Sequence, residues 1–476
     1  MRLRALSPAV LPCVLLVTTC GACAGGGAPD SPDTNLVIVT IDTLRADHLG
    51  CYGYFRDTSP RIDELADESL LFEHCISPMA TTLPAHVSMF TGTWPIEHGI
   101  LANYRFTGIP YRPSDRIQSL ASFLSERGYA TGGFISALPL KSTFGISAGF
   151  ETYDDPEETQ RPAGQTTDIA LAWLKELDSG PYLMWVHYFD PHIPLEPPAP
   201  FDTQFQDDVD LQTHLVERQI APEAPRTTGG THDAVEGMNL YDGEVAYTDQ
   251  QLGRLLDHLR NRADWDRTVV VLLGDHGEGL NQHGEPGHGL TWEEHLRVPF
   301  LLRLPSTPAR RIPYPVSLAD VLPTLLGVLE LEDDDELLEQ VSGKDVLAAG
   351  FRERPIMSQS SDRQQRYESP ASFTMTEQRW KYMRFETGEE RVFDLQADPF
   401  ELTDVMKAQP DVARRLGAEL DRILAEQQER GEFFGEGRLE AQDRHAERLK
   451  RKAMKALSES ELEAMKALGY GGDKDD

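Results

Sequence analysis

The sequence predicts an α/β fold, with a mostly parallel central sheet flanked by helices and a small C-terminal subdomain of antiparallel sheet plus helix. Between residues 34 and 345, short apolar runs alternate with longer amphipathic stretches, which is typical of a parallel sheet covered on both faces. The apolar runs contain almost no polar residues, as strands buried on both faces require. After Pro355 the pattern changes to a hairpin and one long helix.

The elements follow from hydrophobic periodicity and from the residues that interrupt it. The runs predicted to be strands are residues 36–41, 128–135, 182–188, 268–273 and 298–303. The stretches predicted to be helices are residues 61–69, 114–126, 166–177, 242–261 and 318–329. In the subdomain, residues 379–385 and 391–395 alternate as a hairpin does, and residues 411–430 form a helix with leucines on one face. Residues 197–233 lack periodicity and are predicted to be a surface insertion.

These patterns divide the chain into five parts. Residues 1–23 are predicted to be a signal peptide, 24–33 a flexible linker, 34–350 the α/β domain, 351–430 the C-terminal subdomain and 431–476 a charged helical tail. The length of 476 residues is compatible with this division, because chains of such length usually fold as more than one unit.

The N-terminus has the pattern of an exported protein. Arg2 and Arg4 precede an apolar core, residues 10–17, that is too short to span a bilayer. The residues Cys20-Gly21-Ala22-Cys23 resemble a bacterial lipoprotein cleavage site, although Cys20 stands where Leu is usual. We therefore expect a periplasmic or cell-surface protein with a lipid anchor on Cys23, with free secretion as the alternative.

Two further cysteines, Cys51 and Cys75, lie in the part of the chain expected to fold. In an oxidising compartment they could form a disulfide, but buried free thiols fit the sequence equally well.

The charge balance excludes one class of partner. The net charge is −33, and such a chain offers no basic face to the phosphates of a nucleic acid. The same charge repels an anionic substrate at long range, so attraction must come from a metal ion or from a few local cationic groups. Solubility alone is the alternative explanation of the charge.

Acidic residues follow two of the predicted strands. Asp42 comes after the strand at 36–41, and Asp275-His276 follows the strand at 268–273. Ligand sites of α/β sheets lie at the carboxyl ends of the strands, and carboxylates with an imidazole suit a divalent cation. One such Asp alone could be a helix cap; two of them, one followed by His, predict a metal site.

The segment around Thr82 predicts a nucleophile. Pro84 and the small residues near it favour a loop that leads into a helix. A hydroxyl at that position faces free amide donors and the positive end of the helix dipole, and contact with a metal ion would lower its pKa further. Capping of the helix by Thr81 or Thr82 is the alternative.

The ordered set of motifs resembles the sulfatase family, within the alkaline phosphatase superfamily. The resemblance covers residues 34–405, and its motifs are residues 35–45, 82–92, 94–95, 98–99, 189–194, 274–278, 288–294, 297–299, 320–325, 393–395 and 398–399. It implies a hydrolase that cleaves sulfate or phosphate esters of a small molecule or a glycan. It also implies metal ligation by Asp42, Thr82, Asp275 and His276, with His192 on the substrate side.

The departures from the family pattern change the expected chemistry. Typical sulfatases have C-x-P-x-R or S-x-P-x-R, whose first residue becomes formylglycine; here Thr82-Leu83-Pro84-Ala85-His86 stands in that place, and Thr cannot give the aldehyde. The resemblance therefore implies direct attack by Thr82, with His86 either orienting Thr82 or having a structural role. His288 replaces the Lys that usually contacts the sulfate, so His288 or His192 would stabilise charge or protonate the leaving oxygen.

The resemblance also implies the cofactor, one divalent ion. The imidazole of His276 moves the preference from calcium toward manganese or zinc. His192, His283 and His288 with Asp190 would be able to form a second zinc site. Two other functions remain as alternatives: a phospho-group transferase acting on envelope glycans or lipids, and a non-catalytic surface binding protein on the same fold. The sequence does not predict the oligomeric state.

Overall fold

The computed structural model describes residues 33–103, 116–177, 179–222, 233–332, 334–360 and 370–435. The predicted signal peptide, the linker up to residue 32 and the tail beyond residue 435 lie outside the described residues. The five-part division of the chain stays a prediction. Within the described part, no helix combines the length and the apolar character needed to cross a membrane.

The described strands and helices are as follows. The strands are β1 Asn35–Ile41, β2 Leu70–Ile76, β3 Ala130–Ile135, β4 Thr152–Asp154, β5 Tyr182–Tyr188, β6 Thr268–Gly274, β7 Arg297–Arg303, β8 Arg310–Ile312, β9 Val316–Ser317, β10 Ile356–Gln359, β11 Ser372–Thr376, β12 Trp380–Phe385 and β13 Glu390–Asp394. The helices are α1 Pro60–Ala66, α2 Thr82–Thr91, α3 Pro95–His98, α4 Leu120–Ser125, α5 Ala163–Glu176, α6 Val209–Glu217, α7 Ala234–Arg260, α8 Glu293–Leu296, α9 Val321–Val328, α10 Asp335–Gln340 and α11 Pro410–Gly435.

The large sheet confirms the predicted fold class. Among the described residues its strand order is β4-β3-β5-β1-β6-β7-β2-β8, with β9 beside β2. The pairs from β4 to β6 are all parallel, whereas β7 is antiparallel to both of its neighbours. The sheet is therefore mostly parallel, with an antiparallel strand toward one side.

Helices cover both faces of the sheet, which explains why its central strands are apolar throughout. In β1, Leu36 and Ile38 pack into one core cluster while Val37 and Val39 pack into the other. The first cluster is completed by side chains of α2, α4 and α9, and the second by side chains of α1, α5 and α7. Every residue of β1, β5 and β6 is buried, so alternation along a strand carries no signal here.

Some boundaries differ from the predictions. Strand β2 was not predicted, because two charged or polar residues, Glu73 and His74, interrupt its apolar run. Helix α7 begins at Ala234, well before the predicted start, where Asp233 caps it by accepting a hydrogen bond from the Glu236 N–H. The insertion at 197–233 contains a helix, α6, capped by Asp208.

The C-terminal subdomain has the predicted antiparallel sheet and helix. Strands β10 to β13 pair in chain order, all antiparallel. Leu416 and Leu420 of α11 are fully buried against Tyr382 and Val392 of the sheet. The two cysteines of the folded part, Cys51 and Cys75, are free thiols in this structure, as one of the two alternatives proposed.

Candidate active site

Three neighbouring strands end at the same edge of the sheet and bring the two predicted acids together. Ile41, the last residue of β1, is paired with Tyr188 on one side and with Gly274 on the other. The next residues along β1 and β6 are Asp42 and Asp275. Both side chains are buried, at 0% and 2% exposure. This is the strand-end position that the sequence indicated.

The segment after β6 passes close to the rest of the site because of Gly277. A Cβ atom at Gly277 would lie 2.0 Å from the Glu294 carbonyl oxygen, and the Gly277 N–H donates to the His295 carbonyl at 2.8 Å. No larger residue fits there without moving the backbone. The close approach sets the direction in which Asp275 and His276 leave the strand.

Backbone hydrogen bonds orient the side chains of Asp275 and His276. Asp275 Oδ1 accepts from the N–H groups of His276 and Thr43, at 2.8 and 3.1 Å. His276 Nδ1 donates to the Gly277 carbonyl at 3.0 Å, so in the neutral ring Nε2 carries the lone pair. That nitrogen lies 3.5 Å from Asp42 Oδ1 and 3.5 Å from Asp275 Oδ2.

The cluster of Asp42, Asp275 and His276 fits a divalent cation. One ligand atom from each residue lies within 4.8 Å of the others. Asp42 Oδ1 and Asp275 Oδ2 are buried without a hydrogen-bond partner among the described residues. Buried carboxylate oxygens are costly unless a hydrogen bond or a cation satisfies them, so the donor set and its orphaned oxygens both suit a metal ion.

The electrostatics agree with this interpretation. Burial raises the pKa of Asp42 to about 7, and burial together with the charge of Asp42 raises the pKa of Asp275. For His276, burial acts to lower the pKa, but the charges of Asp275 and Asp42 outweigh it and raise the pKa. A positive ion among the three groups would keep both acids ionised and the imidazole neutral.

Thr82 stands at the start of α2 and points into this cluster. Its Oγ1 lies 3.5 Å from Asp42 Oδ2 and 3.4 Å from His276 Nε2. The next backbone amide, that of Leu83, donates to Asn103 Oδ1 at 2.8 Å. The hydroxyl is therefore at the positive end of a helix dipole and beside both acid and imidazole, where an oxyanion is favoured.

His86 lies one turn later, behind Thr82, and its tautomer is determined by its partners. His86 Nδ1 donates to the Thr82 carbonyl at 2.8 Å, and Nε2 is 3.0 Å from Thr40 Oγ1. Thr40 Oγ1 in turn accepts from Trp185 Nε1 at 2.9 Å, so the Thr40 hydroxyl donates to His86. Burial lowers the pKa of His86 to about 3, which keeps this ring neutral.

His192 and His288 form a pair on the other side of the site. Their Nε2 atoms are 3.3 Å apart, and the His288 ring centroid lies 4.4 Å from that of His276. His192 Nδ1 donates to the Ile193 carbonyl at 2.6 Å, and His288 Nδ1 donates to the Ala80 carbonyl at 3.1 Å. Since each Nδ1 already carries a proton, a hydrogen bond between the Nε2 atoms requires one ring to be an imidazolium.

Among the described residues, the four side chains that were candidates for a second zinc site do not form one group of ligands. His283 Nδ1 is 2.8 Å from Glu294 Oε1, and its ring stacks on Trp292 at 3.9 Å. Asp190 Oδ2 accepts from the Ala163 N–H at 2.9 Å. Of the four candidate ligands, only His192 and His288 lie together. Asp190 instead caps a helix, and His283 forms an ion pair with Glu294.

His187 is a histidine beside this cluster that the sequence did not predict. It lies on β5, paired in register with Thr40, and it is fully buried. Its Nε2 is 3.6 Å from Asp42 Oδ2, and burial lowers its pKa to about 4. The local signal was a polar side chain one residue before the end of an otherwise apolar strand, and a histidine of the core would give the same signal.

Comparison with known proteins identifies the family. A family model described as Sulfatase matches residues 34–331. An arylsulfatase of Clostridium perfringens is 22% identical over 79% of this chain and 90% of its own length. An ulvan-active sulfatase of Formosa agariphila is 25% identical over 82% of this chain and 81% of its own length.

Solved structures show the same fold. The crystal structure of a phosphonate monoester hydrolase of Agrobacterium radiobacter superposes with a TM-score of 0.65 at 20% identity, covering 83% of this chain and 96% of that one. Sulfatase-family enzymes are metal-dependent, and the residue groups described above are able to hold a metal ion. The chain belongs to the sulfatase family and is a hydrolase of sulfuric or phosphoric ester bonds.

Proposed function

We propose that this enzyme is a metal-dependent hydrolase that cleaves sulfate or phosphate esters with Thr82 as its nucleophile. The observation that carries the proposal is the position of Thr82 Oγ1, 3.5 Å from Asp42 Oδ2 and 3.4 Å from His276 Nε2. Two ligands of one ion, each bound at about 2.0–2.2 Å, are separated by roughly 3–3.5 Å. The hydroxyl therefore has the spacing of a ligand atom.

The residues that would hold the ion are Asp42, Asp275, His276 and Thr82. Such an ion supplies Lewis acidity, which lowers the pKa of the hydroxyl and neutralises a non-bridging oxygen of the ester. One imidazole with two carboxylates favours manganese or zinc over calcium.

The chain's own residues supply the covalent step. Thr82 Oγ1, after its hydroxyl proton has been lost to solvent, attacks sulfur or phosphorus in line, and its bond to that atom forms while the bond to the leaving oxygen breaks. The proton shared by His192 and His288 passes to the leaving oxygen, which departs as an alcohol. Water then attacks the Thr82 ester and gives one proton back to the His192–His288 pair, so that inorganic sulfate or phosphate is released and the Thr82 alkoxide is restored.

The remaining histidines have distinct parts in this proposal. His86 is neutral and holds the Thr82 backbone carbonyl, so it positions the nucleophile. His192 and His288 serve the leaving group rather than a second ion, because two nitrogens alone are too few ligands for zinc. His288 stands where the family usually has a Lys. The protonated imidazole of the His192–His288 pair is therefore the local cation that faces the substrate.

We assign the substrate to the sulfated or phosphorylated glycans, with a small aryl ester as the simplest probe. The arylsulfatase and ulvan-active relatives support a sulfate ester. A panel of an aryl sulfate, an aryl phosphate monoester and a phosphodiester, each assayed with manganese, zinc and calcium, tests the assignment. Turnover of the phosphate esters but not of the aryl sulfate would show that the enzyme is a phosphatase and not a sulfatase.

The test of the nucleophile uses three variants. Thr82→Ala should lower kcat by at least about 10³-fold, since removing a nucleophile costs up to roughly 10⁶. Thr82→Ser keeps a hydroxyl at the same place and should retain measurable turnover. Thr81→Ala removes the neighbouring buried hydroxyl and should leave kcat within a few-fold of the parent.

Mass spectrometry provides the second readout. Acid quenching during turnover of a slow ester should leave a sulfo or phospho group on the peptide that contains Thr82, and this adduct should be absent from Thr82→Ala. Unchanged kcat in Thr82→Ala, or an adduct on another residue, would overturn the assignment.

We also propose export of the protein with a lipid anchor on Cys23. The basic residues and the short apolar core at the N-terminus support it. The intact mass of the native protein should show a chain that begins at a lipid-modified Cys23, and Cys23→Ser should release the protein from the membrane fraction. A native chain that begins elsewhere, without lipid, would instead support free secretion.

A further inference from the structure

We propose that His187 is a further ligand of the metal ion, binding through Nε2 beside Asp42. The proposal rests on the metal centre of the proposed function and adds to it a residue that the motif comparison did not suggest. It gives the ion two imidazoles, from His187 and His276, in place of one.

The first argument is the position of His187 in the sheet. It lies on β5 directly opposite Thr40 of β1, and Asp42 follows Thr40 by two residues, so both side chains leave the sheet on the same side. The Nε2 atom is 3.6 Å from Asp42 Oδ2, nearly the distance at which His276 Nε2 stands from Asp42 Oδ1, 3.5 Å. His187 thus approaches Asp42 much as the proposed ligand His276 does.

The second argument is hydrogen bonding. Neither ring nitrogen of His187 has a hydrogen-bond partner among the described residues, although the side chain is fully buried. The contact of 3.6 Å with Asp42 is too long to count as a hydrogen bond. An imidazole buried in this way loses its hydration without compensation, and coordination of an ion by Nε2 would supply the missing interaction.

The third argument excludes the other histidine nearby. His86, His187 and Asp275 also form a group whose ligand atoms lie within 4.8 Å of one another, which would suggest a separate site. His86 is committed elsewhere, because Nδ1 donates to Thr82 and Nε2 accepts from Thr40. His187 is therefore the histidine of that group available to an ion, and the ion is the one at Asp42 and Asp275.

A second imidazole changes what the centre prefers. Two imidazoles, two carboxylates and a hydroxyl form a mixed nitrogen and oxygen set, which suits zinc or manganese, whereas calcium takes oxygen ligands. The extra neutral ligand also adds no negative charge to a site that already contains two acids. We expect zinc or manganese to bind more tightly than calcium.

The experiment on the unmodified protein is a count of imidazoles. X-ray absorption at the zinc edge of the zinc-loaded full chain should require two imidazole rings around the ion. One ring would overturn the proposal while leaving the metal centre of the proposed function intact. No bound zinc at all, with no effect of manganese either, would overturn both.

The variants test the same point independently. In cobalt-substituted protein, His187→Leu should shift and weaken the visible absorption bands, and its dissociation constant for zinc should rise by at least about tenfold. His187→Gln retains a polar atom near Nε2 and should fall between Leu and the parent. The rise in Tm on adding zinc should shrink in the same order.

The matched control is His214→Leu. His214 is also buried, with an Nε2 atom that has no hydrogen-bond partner among the described residues, but it packs against His48, Tyr54 and Phe55. Its replacement should change neither the cobalt spectrum nor the zinc affinity. Parent-like cobalt spectra and zinc affinity in His187→Leu would show that His187 is only a core residue.

Discussion

Thr82 owes its position to a chain of hydrogen bonds that ends in the sheet. Trp185 donates to Thr40, Thr40 donates to His86, and His86 donates to the carbonyl of Thr82. Each of these residues is buried. Only one placement of the protons therefore lets every hydrogen bond in the series form. This order preorganises the proposed nucleophile before substrate arrives, which reduces the cost of reaching the reactive geometry.

His288→Ala tests the proposed proton donor. For an ester with a poor leaving group, kcat should fall by about 10²–10⁴, because the leaving oxygen is no longer protonated. For a nitrophenyl ester, whose leaving group departs without a proton, the loss should be much smaller. Steady-state rates on the two esters measure the difference.

A remote histidine provides the control for this comparison. His258 lies in the last turn of α7, and His258→Ala should leave both rates unchanged. Equal losses on both esters in His288→Ala would contradict proton donation and would assign His288 to charge stabilisation instead.

At the scale of elements, a buried lysine connects the C-terminal sheet to the segment that carries the site histidines. Lys381 of β12 is fully buried, and its Nζ lies 3.1 Å from Glu293 and 2.9 Å from Glu401. The Glu293 N–H donates to Glu401 at 2.6 Å, and His283 Nε2 donates to the Glu401 carbonyl at 3.3 Å. The network holds α8 and the preceding segment against the subdomain.

Lys381→Met should destabilise the protein by about 3–5 kcal/mol, because it leaves two buried carboxylates without their cation. Arg379→Met is the matched control on the same hairpin. Arg379 pairs with Asp394 at an exposed position, so its loss should cost about 0–1 kcal/mol. Urea unfolding measures both values, and equal losses would contradict the structural role of Lys381.

A second connection between elements depends on pH. Glu244 of α7 contacts Asp190, next to the segment that carries His192. Burial and the neighbouring charge of Asp190 raise the pKa of Glu244, and burial raises the pKa of Asp190. Near neutral pH the pair is therefore able to hold one proton between its two carboxyl groups.

The raised pKa of Glu244 determines the direction of a stability change. Between the usual pKa of a glutamate, about 4.3, and the raised value, the folded protein binds a proton that the unfolded chain releases. Stability therefore falls as pH rises through this window. Glu244→Gln removes the titration, so the variant should be more stable than the parent at pH 8 by at least about 1 kcal/mol, and the two should converge below pH ~4.5.

Thermal unfolding across pH 4–9 measures this difference. Glu236→Gln, an exposed position on the first turn of the same helix, is the control for removing a charge, and its difference from the parent at pH 8 should be smaller than that of Glu244→Gln. A constant difference between Glu244→Gln and the parent, independent of pH, would contradict the shared proton.

At the scale of the whole molecule, the net charge of −33 opposes the capture of an anionic substrate. Local cations attract the ester only within about 10 Å at ordinary ionic strength. The rate at which the substrate associates therefore depends on how strongly salt screens this repulsion. In other enzymes the electrostatic field of the protein attracts the substrate instead.

Raising the ionic strength from about 10 to about 150 mM should increase kcat/KM by roughly two- to tenfold, because salt shortens the range of the repulsion. The increase should be larger for a doubly charged phosphate monoester than for a singly charged sulfate ester or diester. Stopped-flow or initial-rate assays with a non-coordinating salt measure it. A fall in kcat/KM with salt would indicate a local positive field strong enough to dominate the net charge.

The class of fold and the core of the candidate site follow from local sequence patterns. Apolar runs that alternate with amphipathic ones leave few arrangements other than a covered parallel sheet. The ends of parallel strands meet at one edge, so Asp42, Asp275 and His276 could be placed together from local pattern alone. Thr82 followed from a loop-to-helix signal and from the motif that surrounds it.

Which other side chains lie at that edge depends on how distant segments pack. His187 lies in a strand whose residues are all buried, and nothing local distinguishes a site histidine from a core histidine there. His283 is near His288 in sequence, yet an ion pair with Glu294 holds it away from that pair. Lys381 meets Glu293 across 88 residues of chain. Such contacts depend on the packing of distant segments, which short-range patterns do not encode. The free energy that favours them arises only when both partners are buried against each other.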